Sequence, residues 1–331
     1  AHCDTPMNPA DWRPTATIEV MRKRAGMLAR ARAWFASERV LEVQTPLLST
    51  AAASEPQIES ITAQPLQGPP RYLQTSPEYP MKRLLAAGIG DCYQICPVFR
   101  DGESGRQHNP EFTMIEWYRV GFGVAELQRD VDRMLRATLG ELRVLAPARD
   151  VTYREAIAGT SGLDCATASP RAIEAVLRDR GIAPIFTTEQ DRDTWLDLLM
   201  ATVVGPGLGR DAPVFVRDYP ASQAALARVH DDPDGWPVAE RFELYLDGIE
   251  LANGFHELGD TLEQRRRFTQ DFQKRRQRGQ RLAPLDERFL AALAEGLPDC
   301  AGVALGFDRL VMVALGLGAI GEAMAFPVDR A

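Results

Sequence analysis

The stretch of residues 98–118, VFRDGESGRQHNPEFTMIEWY, constrains the fold of this chain more than any other. A strand-like run, Cys92 to Phe99, leads into a polar loop with two glycines, and a second strand-like run, Glu111 to Tyr118, follows the loop. Two extended segments joined by such a loop predict an antiparallel hairpin.

The tip of this predicted hairpin is rich in charge and carries Arg100, Glu103, Arg106 and His108. Several positive groups at a glycine-bearing turn suit an anionic ligand such as a chain of phosphates, because arginine offers a rigid fork of hydrogen-bond donors. A solvated hairpin tip that binds nothing is the alternative, since charged loops are ordinary. The pattern alone leaves both interpretations open.

The composition predicts a soluble protein with a substantial core. The 331 residues can form one large domain or two ordinary ones, with 45% hydrophobic and 25% charged residues. A net charge of −8 argues against a broad face for nucleic acid, although a local basic patch stays possible. The five scattered cysteines lack zinc-ligand spacing and predict reduced thiols. Without a signal pattern or a run of about 18 apolar residues, we expect a cytoplasmic location.

Periodicity divides the chain into an N-terminal arm and one domain. Residues 1–17 are proline-rich and aperiodic, which predicts an arm, and residues 18–331 predict the domain. The pattern predicts helices over residues 18–37 and 124–139, and a charged helix over residues 264–278. Residues 147–212 carry two or three short amphipathic helices, including residues 171–180 and 190–204, and predict a helical insertion. Residues 49–70 are small, polar and proline-rich, which predicts a loop.

Three glutamates recur at intervals of seven residues, at Glu243, Glu250 and Glu257. A step of seven alternates faces in a straight strand, but the turn sequence Asp247-Gly248 lies between the first two and predicts a hairpin. The hairpin can bring Glu243 and Glu250 onto one face, where a magnesium ion with substrate phosphates would relieve their repulsion. On spacing alone, two solvent-facing glutamates remain the simpler interpretation.

Residues 302–309 combine glycines with an arginine where a strand turns into a helix. Gly306 would let a flat ligand approach the backbone, and Arg309 could stack on an aromatic ring. Packing is the default explanation of such glycines. Together, phosphate-binding arginines, a carboxylate pair for magnesium, a stacking arginine and further acids for an ammonium suit the activation of an amino acid by ATP.

These motifs resemble those of the class II aminoacyl-tRNA synthetases, specifically the lysine type. FRDGESGRQHNPEFT is similar to motif 2 and GVALGFDRL to motif 3. The first helix with VLEVQTP is similar to motif 1, which lies at the dimer interface of that family. TSPEYPMKRLLAAG, YPASQAALA and ERFELYLDGIELANGFHEL resemble more closely the truncated paralogues of lysyl-tRNA synthetase that modify elongation factor P. The resemblance covers residues 18–330.

The resemblance implies an α+β fold, namely a class II aminoacyl-tRNA synthetase-like catalytic domain with a mainly antiparallel sheet flanked by helices. It also implies a homodimer that uses ATP and Mg²⁺. The expected reaction activates β-lysine as an adenylate and transfers it to a lysine ε-amine of elongation factor P. Because motif 1 begins near residue 18, we expect no anticodon-binding domain and no tRNA partner. A truncated lysyl-tRNA synthetase and a catalytically silent binding paralogue remain alternatives.

The resemblance assigns ATP-side roles to residues of all three regions. Arg100 corresponds to the arginine on the α-phosphate, where charge develops during the attack by the substrate carboxylate. Glu243 and Glu250 correspond to the carboxylates for magnesium and ATP, and Gly306 with Arg309 to the adenine platform. The expected ATP-binding residues are Arg100, Asp101, Gly102, Glu103, His108, Asn109, Glu243, Glu250, Leu251, Gly306 and Arg309.

The resemblance also assigns residues to the amino-acid substrate. The Ser76-Pro77-Glu78 loop corresponds to the segment that holds a substrate amine. Tyr118 and Glu257 correspond to the pair that reads the distal ammonium, since an uncharged analogue would leave a buried carboxylate unpaired. The expected substrate-binding residues are Ser76, Pro77, Glu78, Tyr118, Asn253, Glu257 and Ala304.

Two positions depart from the synthetase pattern. Gly102 stands where motif 2 has a glutamate, with Glu103 one residue later, so the adenine contact is in question and the silent-paralogue alternative gains support. Ala304 replaces the middle glycine of motif 3, as in the protein-modifying paralogues. We expect its methyl group to point into the amino-acid pocket, where it would crowd an α-amino acid and favour the shifted amine of β-lysine.

Overall fold

The structure, a computed structural model, describes residues 12–184 and 191–331. Most of the predicted arm and the start of the helix predicted at residue 190 lie outside these ranges. The helices are α1 (Ile18–Ser37), α2 (Glu78–Ala86), α3 (Val124–Leu139), α4 (Tyr153–Ser161), α5 (Pro170–Asp179), α6 (Arg192–Leu199), α7 (Thr261–Gln277), α8 (Glu287–Glu295) and α9 (Phe307–Leu315). None of the described helices is long and apolar enough to cross a membrane.

The strands build one large sheet and one small one. They are β1 (Leu41–Glu42), β2 (Leu48–Ser49), β3 (Thr62–Ala63), β4 (Arg71–Leu73), β5 (Cys92–Phe99), β6 (Glu111–Val120), β7 (Arg149–Thr152), β8 (Val214–Pro220), β9 (Val229–Asp231), β10 (Pro237–Leu246), β11 (Ile249–His256) and β12 (Cys300–Gly306). The large sheet has the order β1-β5-β6-β12-β11-β10-β8-β7, with β9 paired to β10.

The central strands of the large sheet are all antiparallel, and the predicted hairpin is its β5–β6 pair. Only the outer pairs β1–β5 and β7–β8 of the described sheet are parallel. The mainly antiparallel α+β fold expected from the sequence is therefore confirmed. The region 147–212 contributes more than helices, because its first strand, β7, extends the edge of this sheet.

Side chains alternate along each strand, so one face of the large sheet can pack in the core while the other lines a cleft. Trp117 of β6 points to the core side, where it packs edge-on against Phe35 of α1 with ring centroids 5.5 Å apart. Its neighbours Glu116 and Tyr118 line a cleft instead. Helices α1, α3 and α9 contribute to the same core cluster, which leaves the other face of the sheet available for ligands.

Asp308, at the start of α9, ties the core helices to the predicted hairpin. Its buried carboxylate accepts a hydrogen bond of 2.6 Å from the backbone N–H of Thr113 in β6. It also accepts from the guanidinium of Arg24 in α1 at 2.7 Å. One carboxylate thus joins the parts of the chain that resemble motifs 1, 2 and 3.

The loop predicted over residues 49–70 is wrong in part. The second residue of β2 begins this segment and β3 lies within it, and both strands pair with β4 to form the small sheet. Each has two residues, which is too short to display the alternation that identifies a strand in sequence. The small sheet fixes both ends of the segment that covers the cleft.

The Asp247-Gly248 turn joins β10 and β11 as predicted. Both residues have positive φ, 54° and 76°, as a tight type I′ hairpin turn requires. The register then shifts: Tyr245 pairs with Glu250, but Leu244 pairs with Ala252, which leaves Leu251 as an extra residue in β11. This β-bulge decides which side chains of β11 face the cleft.

Candidate active site

A cleft of about 1280 Å³ opens on the face of the large sheet opposite α1 and α3. Its floor comes from β6, β10, β11 and β12, and its walls include the segment 46–60, α2 and α7. The cleft brings together predicted residues that are far apart in sequence, namely Ser76, Glu78, Arg100, Tyr118, Asn253, Glu257 and Ala304. Pro77 is the residue before the first turn of α2 and orients this loop.

A buried carboxylate, Glu116, organises one end of the cleft. Ser76 donates a hydrogen bond from Oγ to Glu116 Oε2 at 2.7 Å. Tyr118 donates from its hydroxyl to Glu116 Oε1, also at 2.7 Å. The sequence interpretation missed Glu116, although its position two residues before Tyr118 in a strand places both on one face.

Lys82 joins the predicted substrate residues Glu78 and Glu257 from behind. Its fully buried ammonium lies 2.6 Å from Glu78 Oε1 and 2.5 Å from Glu257 Oε2. The first contact is a hydrogen bond, whereas the second is an ion pair without hydrogen-bond alignment. Sequence reasoning also missed Lys82, whose signal was its position four residues after Glu78 on one helix face.

Tyr118 and Glu257 meet over Gly302 of β12. A Cβ atom at Gly302 would lie 2.2 Å from the Tyr118 ring and 2.6 Å from Glu257 Oε1, so only glycine leaves room for both. We call the set Ser76, Glu78, Lys82, Glu116, Tyr118 and Glu257 the amine end of the cleft.

The carboxyl groups of Glu116 and Glu257 are held above their ordinary pKa. Burial raises the pKa of Glu116 to about 7, and the charge of Glu78 adds to the effect. Burial raises the pKa of Glu257 to about 8, which Lys82 opposes and Glu78 and Glu116 increase. Burial acts against the charge of Lys82, but Glu257 and Glu78 outweigh it and raise its pKa. An ammonium ligand would relieve this excess of negative charge.

Arg100 lies in the cleft at the base of the hairpin loop. Its guanidinium lies 5.2 Å from the ring centroid of Phe112 and 3.8 Å from a carboxylate oxygen of Glu103. Asp101 is exposed, and its backbone N–H donates to the carbonyl of Glu59. Gly102 has φ of 77°, a conformation that side chains rarely adopt, so a glutamate here would strain this loop.

Arg309 connects the hairpin loop with β11. It donates to the carbonyls of Gln107 at 3.1 Å and Glu250 at 3.0 Å, and to His108 Nε2 at 2.7 Å. A guanidinium only donates, so His108 accepts through Nε2 and is neutral. Burial and Arg309 lower the pKa of His108, in agreement with this state. A Cβ atom at Gly306 would meet the Arg309 side chain at no less than 3.7 Å, so protein packing alone does not require this glycine.

Asn109 uses its amide to hold the hairpin loop. It donates from Nδ2 to the carbonyl of Glu111 at 2.6 Å and accepts on Oδ1 from the backbone N–H of Val328 at 3.0 Å. The nitrogen and the oxygen of the Asn109 side-chain amide therefore both already have backbone partners. The contact of Asn109 with ATP remains a prediction.

The carboxylates predicted for magnesium do lie on one face, although the bulge brings them there. Glu243 accepts from the guanidinium of Arg241 and from the Tyr245 hydroxyl at 2.6 Å. Glu250 has a 40% exposed side chain, and the nearest guanidinium nitrogen of Arg309 is 3.7 Å away. Partial burial and the charge of Glu243 raise the pKa of Glu250 to about 7. Leu251, the bulge residue, is buried in the core.

These residues fit a divalent ion whose remaining ligands come from phosphates. Within residues 12–184 and 191–331, no group of three or more histidine, cysteine, aspartate or glutamate side chains could hold a metal ion. Mg²⁺ bound to nucleotide phosphates nevertheless commonly takes only one or two carboxylates from the protein, and Glu243 and Glu250 can supply these two.

Arg241 is a further cleft residue that sequence reasoning missed. It donates to Asn253 Oδ1 at 3.0 Å and to the carbonyl of Gln223 at 2.9 Å, and its guanidinium lies 4.2 Å from the ring centroid of Tyr219. Arg241 therefore links the predicted magnesium residue Glu243 to the predicted substrate residue Asn253.

The antiparallel sheet and its acid- and arginine-lined cleft are those of a class II synthetase catalytic domain. The chain matches the family described as tRNA synthetases class II (D, K and N) over residues 6–330, and it belongs to this family. It is 46% identical to the elongation factor P–(R)-β-lysine ligases of Salmonella gallinarum and Klebsiella pneumoniae, in each case over 97% of this chain and 99% of the relative. The ligase of Salmonella paratyphi B is 45% identical over the same shares.

Proposed function

We propose that this protein activates (R)-β-lysine with ATP and transfers it to a lysine ε-amine of elongation factor P. The observation that carries the proposal is the amine end, where the carboxylates of Glu116 and Glu257, both buried, and of the partly buried Glu78 lie near one internal ammonium, Lys82. Glu78, Glu116 and Glu257 can therefore accept a substrate with two ammonium groups. The names of the relatives, which cover nearly the whole chain, agree with this chemistry.

The first step forms an acyl-adenylate. A carboxylate oxygen of β-lysine attacks the α-phosphorus of ATP, and the bond from that phosphorus to the bridging oxygen of pyrophosphate breaks. Arg100 lies in the cleft and carries a fixed positive charge for the oxygens of the α-phosphate. Glu243 and Glu250 would hold Mg²⁺, which when bound neutralises phosphate charge.

The second step forms the amide. The neutral ε-amine of the acceptor lysine attacks the acyl carbon of the adenylate, the carbon–oxygen bond to AMP breaks, and the amine loses a proton to solvent. Positioning and electrostatics supply the catalysis, and the enzyme forms no covalent intermediate.

Exchange of pyrophosphate into ATP, measured with β-lysine and with α-lysine, tests the proposal. We expect exchange with a strong preference for β-lysine, followed by β-lysylation of elongation factor P. A preference for α-lysine together with tRNA acylation would support the truncated synthetase instead. Exchange with neither amino acid would support a silent binding paralogue.

We further infer a cytoplasmic homodimer. Strand β1 forms an edge of the large sheet, and its Leu41 is 52% exposed, which leaves backbone and apolar surface for a second copy. Light scattering coupled to size exclusion should give twice the chain mass of 36.6 kDa. A monomer at micromolar concentration would contradict this inference.

A further inference from the structure

The segment between β2 and β3 carries a carboxylate that the predicted site does not include. Glu55 lines the cleft together with Ser76, Glu78 and Arg100. Its Oε2 atom is inaccessible to solvent and has no hydrogen-bond partner among the described residues. A buried carboxylate oxygen without a partner is costly, and in native structures such groups call for an explanation.

The groups around Glu55 compensate its charge only in part. Burial, together with the charges of Glu78 and Asp271, raises its pKa to about 7, although its own backbone N–H and Arg100 act in the opposite direction. Asp271 is engaged with Ser54 at 2.8 Å, and Arg100 also approaches Glu103 and the Phe112 ring. Glu55 therefore combines proximity to Glu78 with an electrostatic contact to the arginine expected at the α-phosphate.

Glu59, four residues later in the same segment, shows the contrast. Its carboxylate pairs with the buried guanidinium of Arg275, and it does not line the cleft. Of the two acids in this segment, Glu59 is thus neutralised by Arg275. Glu55 lies at the cleft and forms no ion pair with the residues that the structure describes.

We infer that Glu55, together with Glu78, binds the amino group next to the reacting carboxylate of the substrate, while Glu116 and Glu257 take the distal ammonium. The inference rests on the proposed function. The substrate carboxylate must approach the α-phosphate near Arg100 to react. An amine one or two carbons from that carboxylate then lies on the Glu55 and Glu78 side of the cleft.

Two substrates that differ only in this amine test the inference. β-Lysine has both amino groups, whereas 6-aminohexanoate keeps the distal amine and the carboxylate but lacks the proximal amine. For Glu55→Gln we expect kcat/KM in pyrophosphate exchange to fall about 10-fold or more with β-lysine, the effect of losing a charged hydrogen bond. With 6-aminohexanoate the variant should match the wild type within about two-fold, as should its KM for ATP.

Matched variants separate binding from folding. Glu59→Gln removes the same charge from the same segment and should leave the ratio of the two substrates unchanged. Glu55→Asp keeps the negative charge on a side chain that is shorter by one methylene group. The loss of kcat/KM with β-lysine should therefore be smaller for Glu55→Asp than for Glu55→Gln. Equal losses with both substrates, or no loss with either, would overturn the role of Glu55.

Calorimetry that measures how tightly the same two compounds bind distinguishes a failure of this inference from a failure of the proposed function. If the wild type binds β-lysine but does not catalyse exchange, the proposed function fails while Glu55→Gln should still weaken β-lysine binding about 10-fold. If the wild type prefers α-lysine, the same comparison applies with α-lysine, because its amine is also next to the carboxylate. An unchanged dissociation constant in Glu55→Gln would refute the inference in either case.

Discussion

Lys82 sets the charge of the amine end. Because its ammonium contacts Glu78 and Glu257, the protein itself neutralises one of the three carboxylate charges of Glu78, Glu116 and Glu257. With Glu116 ionised as well, two negative charges remain uncompensated. A site of this kind favours a ligand with two ammonium groups over a ligand with one, since the latter would leave a buried charge unpaired.

The raised pKa values of Glu116 and Glu257, about 7 and about 8, predict a pH-dependent affinity for the amine substrate. Each carboxyl group must lose its proton before it can pair with an ammonium. We therefore expect KM for β-lysine to fall as pH rises from 6 to 8.5, by up to about tenfold per unit for each coupled proton.

Pyrophosphate exchange at saturating ATP across this pH range checks the prediction. Glu116→Gln, which cannot titrate, should bind more weakly and show a flatter profile. A KM for β-lysine that stays constant between pH 6 and 8.5 would contradict it.

Ala304 predicts how the site distinguishes β-lysine from α-lysine. The residue lines the cleft, and its cross-strand partners are Glu116 and Asn253. Ala304→Gly removes the methyl group that we expect to crowd the α-amine, so the ratio of kcat/KM values should shift toward α-lysine, by about 10-fold for one methyl group. Exchange with both amino acids measures the ratio. An unchanged ratio would mean that the methyl group does not contact the substrate.

At the scale of elements, β12 carries two glycines with different tasks. Gly302→Ala would force Tyr118 or Glu257 to move, and we expect it to reduce the free energy of unfolding by about 1–3 kcal/mol. Gly306→Ala, which meets only the Arg309 side chain at ordinary distance, should leave that free energy nearly unchanged. Urea denaturation of both variants makes the comparison. Equal stability of the two would disagree with the crowding around Gly302.

Elements with sustained periodicity could be predicted from the sequence, although α7 spans Thr261–Gln277 and so begins before the predicted start at residue 264. Helices α1 and α3 and strand β5 begin and end where the pattern indicated. Strands β2 and β3 could not be predicted, because a two-residue strand is defined by its partner β4 and not by its own residues.

Residues of the candidate site could likewise be predicted only where they belong to a recognisable sequence motif. Residues in motifs, such as Arg100 and Glu257, could be named from the sequence because they occur in recognisable patterns. Lys82 and Glu116 were missed since their importance depends on contacts across 175 and 40 residues of chain, with Glu257 and Ser76 respectively. The roles assigned to the ATP-side residues stay predictions.

For the whole molecule, the raised carboxyl pKa values link stability to pH. Glu55, Glu116 and Glu250 have pKa values of about 7 and Glu257 of about 8, against an ordinary value of 4.5. Between these values the folded state holds protons that the unfolded chain has released. These groups therefore make the free energy of unfolding fall as pH rises from 5 to 8.

Urea unfolding at pH 5.5 and 8 without ligand measures this loss. Glu116→Gln should show a smaller loss than the wild type, because one of the titrating groups is gone. β-Lysine should stabilise the wild type more at pH 8 than at pH 5.5. A larger pH dependence in the variant than in the wild type would contradict the assignment of Glu116.

Because of the bulge at Leu251, the number of residues in β11 determines on which face of the sheet each of its side chains lies. Glu250 and Asn253 lie on the same face of the sheet only because the extra residue shifts the alternation once. Deleting Leu251 would restore a regular strand and turn Glu250 toward the apolar core. A substitution in the strand would not change the alternation of its side chains between the two faces. The residue count of β11 therefore has to stay the same if Glu250 and Asn253 are to remain on one face.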